Sequence, residues 1–171
     1  MRTTFIIAAT LLTLAAKTQA QTQAQAQTLE SSLTDALRLK PGSTQRLGDA
    51  GKAIRAYMQA GLVPRRRNQR SDYTDYYLLT GPAKFMGHDL IVIEQEYMSK
   101  YVGCCVSPGA GVSLRAVGST HNLQRFAEAN GCGFTEHVKL QEDLKNYGID
   151  VTLPAGNYLA LSCRERDIQQ P

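Results

Sequence analysis

Apolar residues along this chain recur first at helical and then at strand spacing. Leu29, Leu33 and Leu37 stand at i, i+4 and i+8, a short helical stripe that stops before Pro41-Gly42. Leu47, Ala50, Ile54, Tyr57 and Met58 share one face of a second helix, with Ser43 or Thr44 as its cap and Gly61 at its end. From Tyr73 the period drops to two. Tyr73 to Thr80 and Leu90 to Met98 read as strands, the latter with Ile91, Ile93 and Tyr97 on one face. Val102 to Val106 and Val112 to Val117 read as a hairpin whose turn, Ser107 to Gly111, holds Pro-Gly-x-Gly.

Helical spacing returns at Leu123, Phe126 and Ala127, capped by Ser119 or Thr120, and again at Leu140, Leu144 and Tyr147. Phe134 to Val138 lies between them as a strand, and Ile149 to Leu153 with Tyr158 to Cys163 forms a second hairpin across Pro154 to Asn157. This order predicts an α+β domain: N-terminal helices followed by a mainly antiparallel sheet with two short inserted helices, disulfide-stabilised.

The segment before the first helix changes where the protein is expected to work. Arg2, the apolar run Phe5 to Ala16 and the small residues around Ala20 have the three parts of a secretory signal, too short to span a bilayer. The expected organisation is a signal peptide (1–20), a disordered Gln/Ala-rich leader (21–28), a basic helical segment (29–70), an antiparallel α+β core (71–164) and a frayed tail (165–171). The destination is periplasmic or extracellular, without a stable membrane anchor.

Export puts the four cysteines, Cys104, Cys105, Cys132 and Cys163, in an oxidising compartment, where an even number argues for disulfides. Adjacent strand residues point to opposite faces, so a Cys104–Cys105 bond would need a strained turn. The expected pairings therefore tie these two residues to Cys132 and Cys163, each long loop contributing roughly 3–4 kcal/mol.

Charge is divided along the chain. Nine Lys/Arg stand against Asp49 alone between Arg38 and Arg70, whereas the rest of the exported part is net acidic. Within the basic stretch, Arg65, Arg66, Arg67 and Arg70 run into Tyr73 and Tyr76, and arginine beside tyrosine is the composition of recognition surfaces. These six residues are the candidate binding site, and the bland alternative is a solvated linker paired with Asp72 and Asp75.

No stretch carries a reaction motif. His88, His121 and His137 lack the spacing that sets two metal ligands on one helix face, and His88, between Gly87 and Asp89, reads as a turn residue. Neither a metal nor a cofactor is expected. Glu94 and Glu96 share a strand face and could form a carboxylate pair, though such residues more often make the wet face of a strand.

The functional expectation is an exported small binding protein without catalytic activity, inhibitor- or immunity-like, against an envelope-acting enzyme. Its partner would be a protein with an acidic surface in the cell envelope, and not nucleic acid. Two alternatives stand beside it. One is a small metal-dependent or hydrolytic enzyme using His88 or His137 with nearby carboxylates. The other is an envelope protein that binds an anionic polymer through residues 38–70.

Overall fold

A seven-stranded antiparallel sheet forms the middle of the computed structural model, which describes residues 23–98 and 106–168. Its strands are β1 (Gln69–Ser71), β2 (Thr74–Leu78), β3 (Lys84–Phe85), β4 (His88–Glu96), β5 (Gly109–Arg115), β6 (Gly133–Glu136) and β7 (Tyr158–Arg164). They lie in the order β1-β2-β4-β5-β7-β6, with β3 paired to β4 beyond the end of β2. Helices α1 (23–37) and α2 (Ala50–Gln59) precede the sheet; α3 (His121–Ala129) and α4 (Leu140–Asn146) are inserted between its later strands. The α+β reading of the sequence is therefore the architecture found.

One face of the sheet carries the main core. Leu33, Leu37, Ile54, Tyr57 and Leu123, from α1, α2 and α3, are buried against Ile93, Val112, Leu114, Leu159 and Leu161 of the three central strands. The basic helical segment is thus docked on the sheet. The other face is only partly covered: Leu140, Leu144 and Ile149 cover Tyr76, Val92 and Tyr158.

Several boundaries differ from the sequence reading. Residues 23–28, expected as part of a disordered leader, begin α1, because a Gln/Ala tract costs little in a helix whose following turns are anchored by Leu29 and Leu33. The second helix starts at Asp49, whose side chain accepts from the Lys52 N–H, rather than at Ser43 or Thr44. Ile149 to Leu153 form no strand; the segment lays Ile149, Val151 and Leu153 on the half-covered face, and β7 pairs instead with β5 and β6. Part of the expected tail is tied down, since Glu165–Asp167 form a 3-10 turn and Asp167 accepts from the Arg164 N–H and the Ser162 hydroxyl.

The largest revision concerns Pro108 to Gly111. Gly109 and Gly111 belong to no turn: they open β5, a central strand paired on both sides. A Cβ on Gly109, where φ is +151°, would meet the Arg164 Cα at 2.6 Å. Glycine is needed here for close backbone approach within a sheet. The expected first arm, Val102 to Val106, lies outside the described residues except for Val106, which is in no strand.

The cysteine pairing is revised as well. Cys132 is bonded to Cys163, with Cα atoms 4.3 Å apart. The β6–β7 register, Gly133 opposite Ser162, places the two residues side by side, a pairing no sequence spacing discloses. Neither can then bind Cys104 or Cys105, which lie outside the described residues.

A two-residue turn joins β1 to β2. Asp72 and Tyr73 both have positive φ, 44° and 66°, the backbone of a type I′ hairpin, whose second position favours glycine. Tyr73→Gly is expected to raise stability by about 0.5–1 kcal/mol in urea unfolding, because relief of the left-handed backbone outweighs the extra freedom of the unfolded chain. A loss of stability would show that the Tyr73 side chain itself holds the hairpin.

Candidate functional site

The half-covered face ends in a polar groove of about 300 Å³, lined by Tyr76, Glu94, Glu96, Tyr147, Arg164 and Arg166 among others. Its floor follows from strand register. Glu96, Gly109 and Arg164 form one cross-strand row; Glu94, Gly111 and Ser162 form the next. Strands β4 and β7 are two ladder spacings apart, about 9–10 Å, and the glycines put no side chain between them. Arg164 therefore reaches over β5, its Nη2 2.8 Å from Glu94 Oε2 and its Nε 3.0 Å from Glu96 Oε2.

These charges are deeply placed: the Arg164 side chain is 8% exposed and that of Glu96 4%. Glu96 also accepts from Arg166 Nη1 at 3.0 Å and the Ser107 N–H at 2.8 Å. Glu94 accepts from the Ser113 hydroxyl at 3.1 Å. The Arg164 Nε–H is close to Glu96 but not directed at it, and Nε is the one enclosed side-chain nitrogen or oxygen among the described residues without a hydrogen bond. Burial works against the Arg164 charge, yet Glu94, Glu96 and Asp167 outweigh it and hold the guanidinium above its ordinary value. The expected carboxylate pair is thus real in space, and both members are held by guanidinium groups. A proton shuttle would have to break these ion pairs, so the arrangement suits fixing strand positions.

The six expected binding residues fall in four places. Arg65 and Arg66 are exposed between α2 and β1 and have no acidic partner among the described residues. Arg67 and Arg70 converge on Asp75, each with a nitrogen 3.2 Å from Oδ1 of a carboxylate whose side chain is 1% exposed. Tyr73 is the strained turn residue. Tyr76 points through to the groove on the other face, where it stacks on Tyr147 with ring centroids 4.9 Å apart. Burial, with Glu94 adding to it, raises the Tyr76 phenol above its ordinary value.

The pairing of Arg67 and Arg70 with Asp75, expected in the linker reading, is found, and Tyr97 joins the cluster. Asp75 is its centre, and Tyr97 donates its hydroxyl to Asp75 at 3.0 Å while its ring lies 4.6 Å from the Arg70 guanidinium carbon. Arg70 also donates to the Tyr97 carbonyl at 2.9 Å. The only signal in the sequence was alternation, Asp75 and Tyr77 on one face and Tyr76 on the other; the partner strand was unknown.

Much of the remaining positive charge between 38 and 70 is engaged internally. Arg46 donates to the carbonyls of Leu37, Asn130 and Gly131, closing the ends of α1 and α3, and burial lowers its pKa. Arg38 lies near Asp35 and Arg55 near Asp49.

His88 is no turn residue. It opens β4, is 1% exposed, and its Nδ1 accepts the Val117 N–H at 3.0 Å. Burial, followed by Lys84, pushes its pKa below 6.5, so the unfolded chain takes up a proton that the folded one refuses. Stability is therefore expected to fall as pH drops below about 6.5 and to level off once the folded-state value is passed. His88→Asn keeps an acceptor for Val117 and should flatten that part of a stability–pH curve; an unchanged curve would assign the effect elsewhere. His137 is exposed with φ of 58°, at the end of β6. Among the described residues, no three His, Cys, Asp or Glu side chains are grouped to hold a metal ion.

Compared with known proteins, the chain matches no family model, no curated protein and no solved structure. Among the described residues, no helix is long and apolar enough to cross a membrane.

Proposed function

We propose that the protein is an exported binding module of the inhibitor or immunity type, docking an acidic partner on the arginine-rich edge of its sheet. The observation that carries this reading is the Asp75 cluster. A buried carboxylate holds Arg67 through Nε and Arg70 through Nη1, fixing two long side chains beside an aromatic ring. Side-chain freedom that an ordinary surface arginine loses on binding is already restricted here, which favours recognition over a solvated charge run. Arg65 and Arg66, without acidic partners among the described residues, extend the same basic edge.

The test is capture from the envelope fraction of the source cells, followed by affinity measurement with the isolated partner. Changing Arg65, Arg66 and Arg67 together to alanine is expected to weaken binding by at least about tenfold, chiefly by slowing association at low salt. Unchanged affinity would remove the basic edge from the site. Affinity that falls steeply and uniformly with salt, for any polyanion offered, would favour the anionic-polymer reading.

A further inference from the structure

The segment that joins α2 to β1 is a short arch tied down at both feet. On one side Val63 is buried, the Thr80 N–H donates to the Leu62 carbonyl at 2.9 Å, and the Thr80 hydroxyl donates to the Gly61 carbonyl at 3.0 Å. On the other side the Asn68 N–H donates to the Tyr76 carbonyl at 2.8 Å, and Asn68 Oδ1 accepts the Leu78 N–H at 2.8 Å. Both feet therefore stand on one stretch, Tyr76 to Thr80, with Pro64 to Arg67 rising between them.

The crown of the arch is open. Arg65 and Arg66 are exposed, and the backbone N–H groups of Arg65, Arg66 and Arg67 make no hydrogen bond among the described residues. Pro64 fixes a backbone angle just ahead of Arg65, and two residues beyond it Arg67 is pinned by its Nε to Asp75 Oδ1 at 3.2 Å. A loop held from both sides by a rigid sheet, with long cationic side chains beside unpaired backbone, loses little freedom on entering the cleft of another protein.

We propose that this arch fills the active-site cleft of an arginine-specific serine endoprotease and blocks it, with Arg65 in the enzyme's acidic primary pocket. The inference rests on the binding-module reading above and narrows its acidic partner surface to an acidic pocket. A carboxylate at the base of such a pocket takes a guanidinium in a paired, charge-assisted contact, and Arg65 has no acidic partner of its own among the described residues. The two feet separate an inhibitor from a substrate. Hydrolysis of the Arg65–Arg66 bond, in which water leaves a carboxylate on Arg65 and an amine on Arg66, would still keep both new ends tied to Tyr76–Thr80 through Leu62 and Asn68. Ends held together leave the cleft slowly and favour re-formation of the bond with loss of the same water.

The test measures trypsin activity on a small arginyl amide in the presence of the full exported chain, with chymotrypsin, whose primary pocket is apolar, as the comparison. The expected result is competitive inhibition of trypsin at one-to-one stoichiometry and none of chymotrypsin. Arg65→Ala should raise the inhibition constant by at least about thirtyfold, the loss that a central arginine anchor gives, while Arg65→Lys, which keeps a cation for the pocket, should raise it by less than about tenfold. Both changes lie at an exposed position without contacts in the core, so thermal midpoints should match the parent's. Arg67→Ala frees one side of the arch and should speed cleavage within Pro64–Arg67, read by mass spectrometry. Absence of trypsin inhibition, equal inhibition of chymotrypsin, or rapid cleavage of the parent arch with full enzyme turnover would overturn the inference. If trypsin is not inhibited but the captured envelope partner still loses affinity for the triple alanine variant, this inference falls and the binding reading stands.

Discussion

Arg164→Met is expected to lower the unfolding free energy by about 3–5 kcal/mol, the cost of leaving buried carboxylates without their cation. Arg164 binds Glu94 and Glu96 at once, and of its two partners Glu96 is almost wholly enclosed. Arg166, whose side chain is 53% exposed, would still neutralise Glu96 in part, leaving Glu94 as the more abandoned group. A double-mutant cycle separates ion pairing from lost packing: in a Glu94→Gln, Glu96→Gln background the same Arg164 change should cost markedly less. Equilibrium urea unfolding reads both values. A loss under about 1 kcal/mol in the parent would mean that water reaches these charges and that the groove is no rigid network.

Removing the Cys132–Cys163 bond by changing both residues to alanine is expected to cost roughly 3–4 kcal/mol. The estimate rests on a sequence separation of 31 residues and the loop freedom regained by the unfolded chain. The closed loop contains β6 and α4, so the bond fixes an edge strand and one inserted helix to the centre of the sheet. Against the 5–15 kcal/mol typical of a whole domain, that is enough to lower the thermal midpoint by many degrees. The linkage itself can be checked by peptide mapping of the unreduced protein. A single crosslinked peptide containing Cys132 and Cys163 is the expected product, and peptides joining either residue to Cys104 or Cys105 would contradict the sheet register.

Both effects concern residues whose partners are distant in sequence. Arg164 and Glu94 are 70 positions apart, and nothing in their local spacing marks them as a pair. Gly109 and Gly111 were visible, but a Pro-Gly-x-Gly run has a strong local meaning as a turn. Only a strand on each side shows that the missing side chains make room for a bridge across β5. His88 misled in the same way: Gly87 beside it does adopt a positive φ, yet the chain has already entered β4 at the histidine. The β4 pattern also switches faces midway. A register shift between Leu90 and Val92 sends Leu90 and Ile93 to the main core while Ile91 and Val92 meet the other cluster, so the expected shared face of Ile91 and Ile93 does not exist.

What the sequence determined by itself is what depends on neighbours within a few residues. The helical stripes at Leu29 to Leu37 and Ile54 to Tyr57, the strands around Tyr76 and Ile93, and the α+β class are fixed by the periods at which apolar groups must leave water. The exposed arginines were legible too, as charge. Which strands are neighbours, which cysteine meets which, and which arginine is held by Asp75 or Glu94 were decided only by tertiary structure. A ladder pairs residues by register across the fold, and that register is chosen by burying the whole apolar set of both faces at once, a condition no single segment contains.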